Sequence, residues 1–236
     1  MITKPHVVTA AGVIEAWMDA TRLLLVDGDR FNLTVHIVEP ASLDEVAVGR
    51  FCHRRVDSRI TKSVYDVANT IFPNESAFHS GPLDRFFDHY GRVYTRGQRK
   101  YRTSWGCYFL RLISFGAGSE NQLQKILSGL SGWACRPRAA FVVHLSSSEL
   151  DNPRPLGAPC WQYGQFVRDD DSTLSLVAVY RSQDYFQKAL GNFVGLTRLL
   201  KFVCHHANMT PGTLTCLSTY ATFQGKQSKA RELLQM

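Results

Sequence analysis

Apolar residues recur at helical spacing in three stretches of the chain. Val13, Trp17, Ala20 and Leu24 share one stripe of residues 10–25, which predicts an amphipathic helix there. Leu123, Ile126, Leu127 and Leu130 do the same over residues 120–130, with Gly132 just beyond as a terminal breaker. Asp184–His206 reads as a long helix with Gly191 and Gly195 in its first half, and a further helix is expected near residues 58–70. Alternation of period two predicts strands elsewhere. It marks 31–38, stopped by Pro40, and also 162–167 and 174–180, joined by the acidic turn Asp169-Asp170-Asp171. The apolar run 139–145 has strand length, and 213–223 is β-rich after a turn at Pro211-Gly212. Residues 73–104 hold two prolines, three glycines and many charges, and read as irregular; 226–234 reads as a short terminal helix. The order is mixed α and β without regular βαβ alternation, so the expected class is α+β, a single mixed sheet flanked by helices. No break in composition marks a boundary, and residues 1–236 are read as one domain.

Composition narrows the partners more than the fold. The chain has 236 residues, 44% hydrophobic and 20% charged, with 14 Phe, 9 Tyr and 4 Trp, enough to bury a sizeable core without disulfides or metal. No stretch approaches 18 uncharged apolar residues, so no membrane span is expected. Glu15, Asp19 and Asp27 interrupt the first thirty residues, which do not read as a secretory signal. The expected location is therefore cytoplasmic, and the six cysteines are read as reduced thiols. None forms a CxxC pair. Cys204-His205-His206 with Cys216 could ligate a metal, but consecutive ligands on a helix diverge, and a metal is not expected. His144, in an apolar run, is read as a core residue, and Gly116-Ala117-Gly118 lacks the context of a dinucleotide loop. The net charge is +7, and 19 of the 27 basic residues are Arg, whose planar fork suits an anionic ligand. The densest run, Arg92 to Arg102 with Tyr94 and Tyr101 interleaved, could track a nucleic-acid strand. A charge of +7 spread along the chain is modest for that task, which argues against a nucleic-acid partner.

Three features of the C-terminal third carry chemistry. Pro159-Cys160 begins a strand, Arg181-Ser182-Gln183-Asp184 lies where a strand ends and a helix begins, and Gly191-Asn192 follows within that helix. A strand-to-helix junction bearing Arg and Ser makes an anion site from backbone N–H groups, the helix's positive end and a guanidinium. Cationic neighbours raise the thiolate fraction of a cysteine, and a thiolate attacks an electron-poor carbon. An Asn amide offers one acceptor and one donor, which suits the edge of a uracil ring. Taken singly, each has a structural reading: a small core thiol, a helix cap, a kink.

In order and together, these residues resemble the thymidylate synthase family. The matching segments are Gly157-Ala-Pro-Cys160 with Gln165-Phe166, Arg181-Ser-Gln-Asp184, and Asn192. Upstream, Asn121-Gln-Leu123 resembles a helix start of that family, and Arg138 resembles part of its Ser-Arg-Arg segment. The resemblance covers about residues 105–223. It implies a thymidylate synthase-like fold, a homodimer formed by sheet stacking, and transfer of a methyl or hydroxymethyl group to C5 of a pyrimidine nucleotide from 5,10-methylenetetrahydrofolate. By that analogy Cys160 is the nucleophile, assisted by Arg181, Asn192 and Tyr108. Arg181 and Ser182 hold the phosphate, Arg138 and Arg136 reach the phosphate of the neighbouring subunit, and Asn192 and Gln162 contact the substrate. Asp184 and Trp161 lie at the cofactor. The sequence also departs from the family. Trp161 replaces a His, the sugar-binding His and Tyr are missing near Ser218–Phe223, with Ala221 and Phe223 nearest, and the proton-shuttling Glu has only Asp66, Asn69 or Glu75 nearby. These departures favour a divergent enzyme of specialised metabolism or base modification over housekeeping thymidylate synthesis. Two alternatives stay open: a nucleotide-binding protein on the same fold with altered catalysis, and one-carbon chemistry on a ring outside nucleotide metabolism.

Overall fold

The computed structural model describes residues 5–55, 58–74, 81–101, 105–116, 118–132, 137–151, 157–224 and 234. Seven strands form one sheet in the order β1-β2-β7-β5-β4-β3, with β6 paired to β7. The strands are β1 (His6–Ala10), β2 (Arg30–Ile37), β3 (Phe141–His144), β4 (Trp161–Arg168), β5 (Thr173–Tyr180), β6 (Gln183–Asp184) and β7 (Thr210–Thr222). The helices are α1 (Val13–Asp27), α2 (Glu45–Arg55), α3 (Ser58–Ile71), α4 (Leu83–Tyr101), α5 (Tyr108–Ile113), α6 (Gln122–Gly132), α7 (Ser148–Asp151) and α8 (Leu190–Ala207). The sheet is mixed. β1 pairs parallel with β2, and β5 and β6 each pair parallel with β7, whereas β2–β7, β4–β5 and β3–β4 are antiparallel. A parallel pair needs a crossover long enough to return the chain; α1 lies in the one between β1 and β2, and α8 in the one that leads to β7. This is the expected α+β class with a single mixed sheet.

Period-two burial gives the sheet one core face. Leu33, Val35 and Ile37 of β2, Leu214 and Cys216 of β7, Leu176 and Ala178 of β5, and Phe166 of β4 are all fully buried. Helices α1 and α8 pack along it. Positions that alternate with these, among them Val142, Val167, Val177, Val179 and Leu217, are half-buried.

Helix α8 lies close against α3 because two of its residues lack a side chain. A Cβ at Gly191 would lie 2.6 Å from the Val64 carbonyl oxygen and from Val67 Cβ, and one at Gly195 would lie 2.8 Å from the Ala68 carbonyl oxygen. A buried charge then fixes the register. Arg198 of α8 donates two hydrogen bonds to Glu45 at 2.7 and 2.6 Å, and others to Asn69 Oδ1 and the Phe72 carbonyl. A second buried pair, Arg111 with Asp151 at 2.6 and 2.8 Å, joins α5 to α7.

Four local expectations fail. Residues 83–101, read as irregular, form a 19-residue helix. Its Phe86, Phe87, Tyr90 and Tyr94 fall on one face, and Phe86 stacks 4.7 Å from Phe202; tertiary burial outweighs Gly91, Gly97 and the surrounding charge. Pro211-Gly212 lies inside β7 rather than in a turn, at the strand's outer end where it meets Thr173 and Leu174. Residues 6–10, not read as a strand, pair with β2. His144 is exposed at the end of β3, its ring 5.8 Å from Tyr163, because the alternation that buries Phe141, Val143 and Leu145 turns position 144 outward. The terminal helix expected at 226–234 lies outside the described residues, apart from Leu234.

Candidate active site

Cys160 stands immediately before β4, and Arg181 immediately after β5, the strand beside it. Trp161 and Tyr180 are partners across that antiparallel pair, so the ladder itself brings the two functional positions side by side. The Arg181 N–H donates to the Cys160 carbonyl at 2.9 Å. The Arg181 guanidinium turns back along the same segment, Nε donating to the Pro159 carbonyl at 3.2 Å and Nη2 to the Ala158 carbonyl at 3.1 Å. Thr219 of β7 donates its hydroxyl to the Arg181 carbonyl at 2.7 Å. Nη1 of Arg181 keeps its donors without a partner among the described residues. The Cys160 thiol is half-buried, whereas Cys52, Cys107, Cys204 and Cys216 are buried.

Tyr108 holds the backbone at Cys160. Its phenol oxygen accepts the N–H of Cys160 at 3.0 Å and of Trp161 at 3.1 Å. Burial pushes its pKa well above the usual tyrosine value, with the nearby Cys160 adding to the rise, so the phenol stays neutral at ordinary pH. Its ring stands 4.8 Å from Trp105 and 5.5 Å from Trp161, and Trp161 stacks on Tyr180 at 6.2 Å. Gln162 donates to the Pro159 carbonyl at 2.5 Å, so a third side chain braces the same segment.

The helix end behind Arg181 differs from the expected anion site. Between β6 and α8, residues Tyr185–Ala189 form one π-helical turn. Asp184 caps it, Oδ1 accepting the N–H of Phe186 at 3.0 Å and of Gln187 at 3.4 Å, and also that of Gln224 at 3.3 Å. The chain's own carboxylate therefore satisfies the N–H groups and positive helix end that were expected to face a phosphate. Arg181 Nη1 and the half-buried Ser182 hydroxyl, which has no partner among the described residues, remain for an anion. Asn192 lies buried in the first turn of α8, and its amide takes no hydrogen bond among the described residues. None of the bonds that tie Cys160 to Arg181 and Tyr108 reaches it.

Trp161 is fully buried and donates its indole N–H to the Tyr163 carbonyl at 2.8 Å, so it offers a cofactor no surface in this arrangement. Arg138 lies at the far end of β4, its carbonyl accepting from Arg168 and its guanidinium donating to the Asp169 carbonyl at 3.2 Å. Eight strand residues at about 3.3 Å each separate it from the Cys160 of its own chain. Arg136 and Glu75 lie outside the described residues. Asp66 is exposed, and Asn69 is engaged by Arg198. Tyr94 of the basic run turns inward against Phe109, with its hydroxyl on the Asn69 carbonyl, so it is not free to stack a base. No group of three or more His, Cys, Asp or Glu suited to a metal occurs among the described residues, and no described helix is long and apolar enough to cross a membrane.

Two residues escaped the sequence reading. Tyr180 Oη and Gln183 Nε2 are buried without hydrogen-bond partners, flanking the Arg181-Ser182 pair in sequence. Gln183 Oε1 meanwhile accepts from Ser218 at 2.7 Å and from the Cys216 thiol at 3.6 Å. The inward register of Tyr180 follows from the β5 alternation and could have been read from it; Gln183 lies beyond β5, in β6, where that alternation does not reach. Buried polar groups almost always find partners, so this cluster is a place where a water or ligand atom belongs.

No family model matches the chain. A curated protein of Methanococcoides burtonii named "Putative thymidylate synthase" is 28% identical over 105 residues, which is 44% of this chain. The matched stretch spans about half the length of that relative, 46%. The chain is thus weakly similar to a protein bearing that name, over part of both.

Proposed function

We propose that the chain is a thymidylate synthase-like transferase that adds a one-carbon unit to C5 of a pyrimidine nucleotide through Cys160. The observation that carries this reading is the bracing of the segment that bears a half-buried cysteine by Arg181, whose backbone N–H donates to the Cys160 carbonyl and whose guanidinium donates to the Pro159 and Ala158 carbonyls, in the order and spacing the resemblance requires. The partial similarity to the Methanococcoides burtonii protein supports the transferase class.

In this reading the Cys160 sulfur forms a bond to ring C6. The C5–C6 π electrons move toward C5 and the C4 oxygen, and C5 becomes the nucleophile. Arg181 has two tasks: its Nε and Nη2 hold the carbonyls beside Cys160, and its Nη1 is left for the substrate phosphate, with the Ser182 hydroxyl alongside. Asn192, with unspent donors and acceptors, reads the O4 and N3 edge. Tyr108 is a positioning residue, since it touches the backbone of Cys160 rather than the ring. After transfer the C5 proton is lost and the bond from the new carbon to its carrier breaks; addition of a hydride from the carrier (giving methyl) or of water (giving hydroxymethyl) to that carbon would then expel the sulfur and restore the C5–C6 double bond.

Methylenetetrahydrofolate, when bound, supplies the electrophilic carbon. Of the two residues assigned to it, Asp184 fits in part, because Oδ1 is spent on three N–H groups whereas Oδ2 remains for a donor. Trp161 does not fit, because it is buried behind the nucleophile. The proposed assembly is a homodimer through the half-buried sheet face that carries Val142, Val177, Val179 and Leu217. Arg138, remote from its own Cys160, then serves the neighbouring subunit. Sedimentation of the full chain would give a dimer; a monomer at tens of micromolar would remove that part.

The test is tritium release from 5-³H-labelled dUMP, UMP and CMP, with and without methylenetetrahydrofolate. The reading expects release from one of them, lost by at least a thousandfold in Cys160→Ser. Full turnover by that variant would refute covalent chemistry at Cys160. Nucleotide binding in calorimetry without exchange under any condition would identify a binding protein instead.

A further inference from the structure

An open groove of about 1140 Å³ lies between α4 and the segment 105–116, and neither Cys160, Arg181 nor Asn192 lines it. Its two ends carry opposite charge. Asp84 and Asp88, one helical turn apart, stand at one end with Gln124, whose amide donates to Asp84 at 3.3 Å. Arg92 and Arg96, again one turn apart, stand at the other. Asp88 and Arg92 have the spacing at which helical ion pairs form, yet among the described residues neither side chain has any partner. The helix rise of 1.5 Å per residue sets the acidic backbone positions about 6 to 18 Å from the basic ones along the axis.

Between the ends the floor is apolar. Phe87 and Ile113 form it, and Gly91 keeps it deep: a Cβ at Gly91 would lie 3.4 Å from Ile113 Cδ1. A flat ring fits over such a floor, and a volume of this order suits a ligand of nucleotide size or somewhat larger.

We propose that this groove binds an elongated ligand with two adjacent N–H donors on a flat ring at one end and an anionic tail at the other. A carboxylate accepts two adjacent N–H groups side by side, and paired guanidinia take a phosphate or a carboxylate. The 2-amino-4-oxo edge shared by guanine and by pterins has this donor pair. A guanine nucleotide and a folate-type carrier are thus two sources of one chemistry. The inference is independent of Cys160, and its readout is binding rather than turnover.

The experiment is calorimetric titration of the full chain with GMP, with 5-formyltetrahydrofolate and with AMP, which lacks the paired donors. Either GMP or the folate is expected to bind at least tenfold more tightly than AMP. GMP alone would mark the source as a nucleotide, and the folate alone as a carrier. Asp88→Asn should weaken that ligand about tenfold. Arg92→Ala/Arg96→Ala should weaken it at least as much and flatten its salt dependence. All three positions are exposed, so the variants should keep the wild-type melting temperature, and Cys160→Ser should bind as wild type. The proposal is overturned if neither ligand binds below 1 mM, if AMP binds equally, or if binding survives these substitutions unchanged. Loss of binding in Cys160→Ser alone would move the ligand to the Cys160 site and likewise overturn it.

Discussion

Replacing Tyr108 by Phe removes one oxygen atom and leaves the ring packing between Trp105 and Trp161 in place. The oxygen accepts two backbone N–H groups, those of Cys160 and Trp161, at 3.0 and 3.1 Å. Trp161 is fully buried, so its N–H would have no water to turn to, which costs about 1–3 kcal/mol. Cys160 is half-buried and water can replace its lost acceptor, so that bond contributes about 0.5–1.5 kcal/mol. The expected loss is about 1.5–4.5 kcal/mol in all, read in urea unfolding as a lower midpoint with an unchanged slope. For a chain of this size each kcal/mol corresponds to about 2–4 °C in melting temperature. Tyr163→Phe is the control, because the Tyr163 hydroxyl makes no hydrogen bond among the described residues; it should stay within about 0.5 kcal/mol of wild type, as surface-type changes do. The same bonds set where the sulfur sits, so Tyr108→Phe should also change the rate at which iodoacetamide labels Cys160 by at least threefold. If Tyr108→Phe is as stable as wild type and labels at the same rate, the phenol does not hold Cys160 and the positioning argument is wrong.

Gly191→Ala should destabilise by about 1–3 kcal/mol, because its methyl would overlap the α3 backbone, whereas Gly97→Ala on α4 has open space and should stabilise by about 0.5–1 kcal/mol; paired chemical melts read both. Asp151→Ala leaves the buried Arg111 guanidinium uncompensated and should cost about 3–5 kcal/mol, read in a thermal melt as a melting temperature lower by about 6–20 °C. Burial pushes the Cys52 thiol from 9.0 up to about 11 and the Cys204 thiol to about 12. The folded chain therefore holds those protons longer than the unfolded one, so their contribution is complete below pH 9 and is lost as pH rises toward 11–12. The urea midpoint should fall over that window, less steeply in Cys52→Ala than in wild type, and at pH 8 Cys160 should react with a thiol reagent well before Cys52 or Cys204.

Where burial and periodicity coincide, the fold is legible in the chain. The stripe Val13, Trp17, Ala20, Leu24 buries all four residues in α1, and the alternation of 174–180 becomes β5 with Leu176, Ala178 and Tyr180 inward. The α4 segment misleads because its apolar face is narrow and aromatic, and two glycines and seven charged residues dilute its average. What makes it a helix is contact with Phe72, Phe109 and Phe202, residues distant in sequence. Strand β1 was missed for a related reason. It is short, two of its five side chains are exposed, and only a parallel neighbour contributed by β2 gives its backbone partners.

At the site, the sequence carries identities and order, but hydrogen bonds decide how each group is spent. Asp184 looks the same on paper whether it caps a helix or greets a ligand; the structure commits one of its oxygens to three N–H groups and leaves the other. Arg181 looks like a phosphate clamp, yet its Nε and Nη2 brace the carbonyls at 158 and 159, so a single NH₂ group is left for an anion. A guanidinium divided in this way holds a phosphate less firmly than one offering a full fork, since a bidentate pair needs two parallel donors. The shortfall must come from elsewhere. In the proposed assembly Arg138 of the neighbouring subunit supplies it, which ties the phosphate contact to dimer formation. A monomeric form of this chain should therefore bind a nucleoside about as well as its monophosphate, while the dimer should prefer the monophosphate strongly.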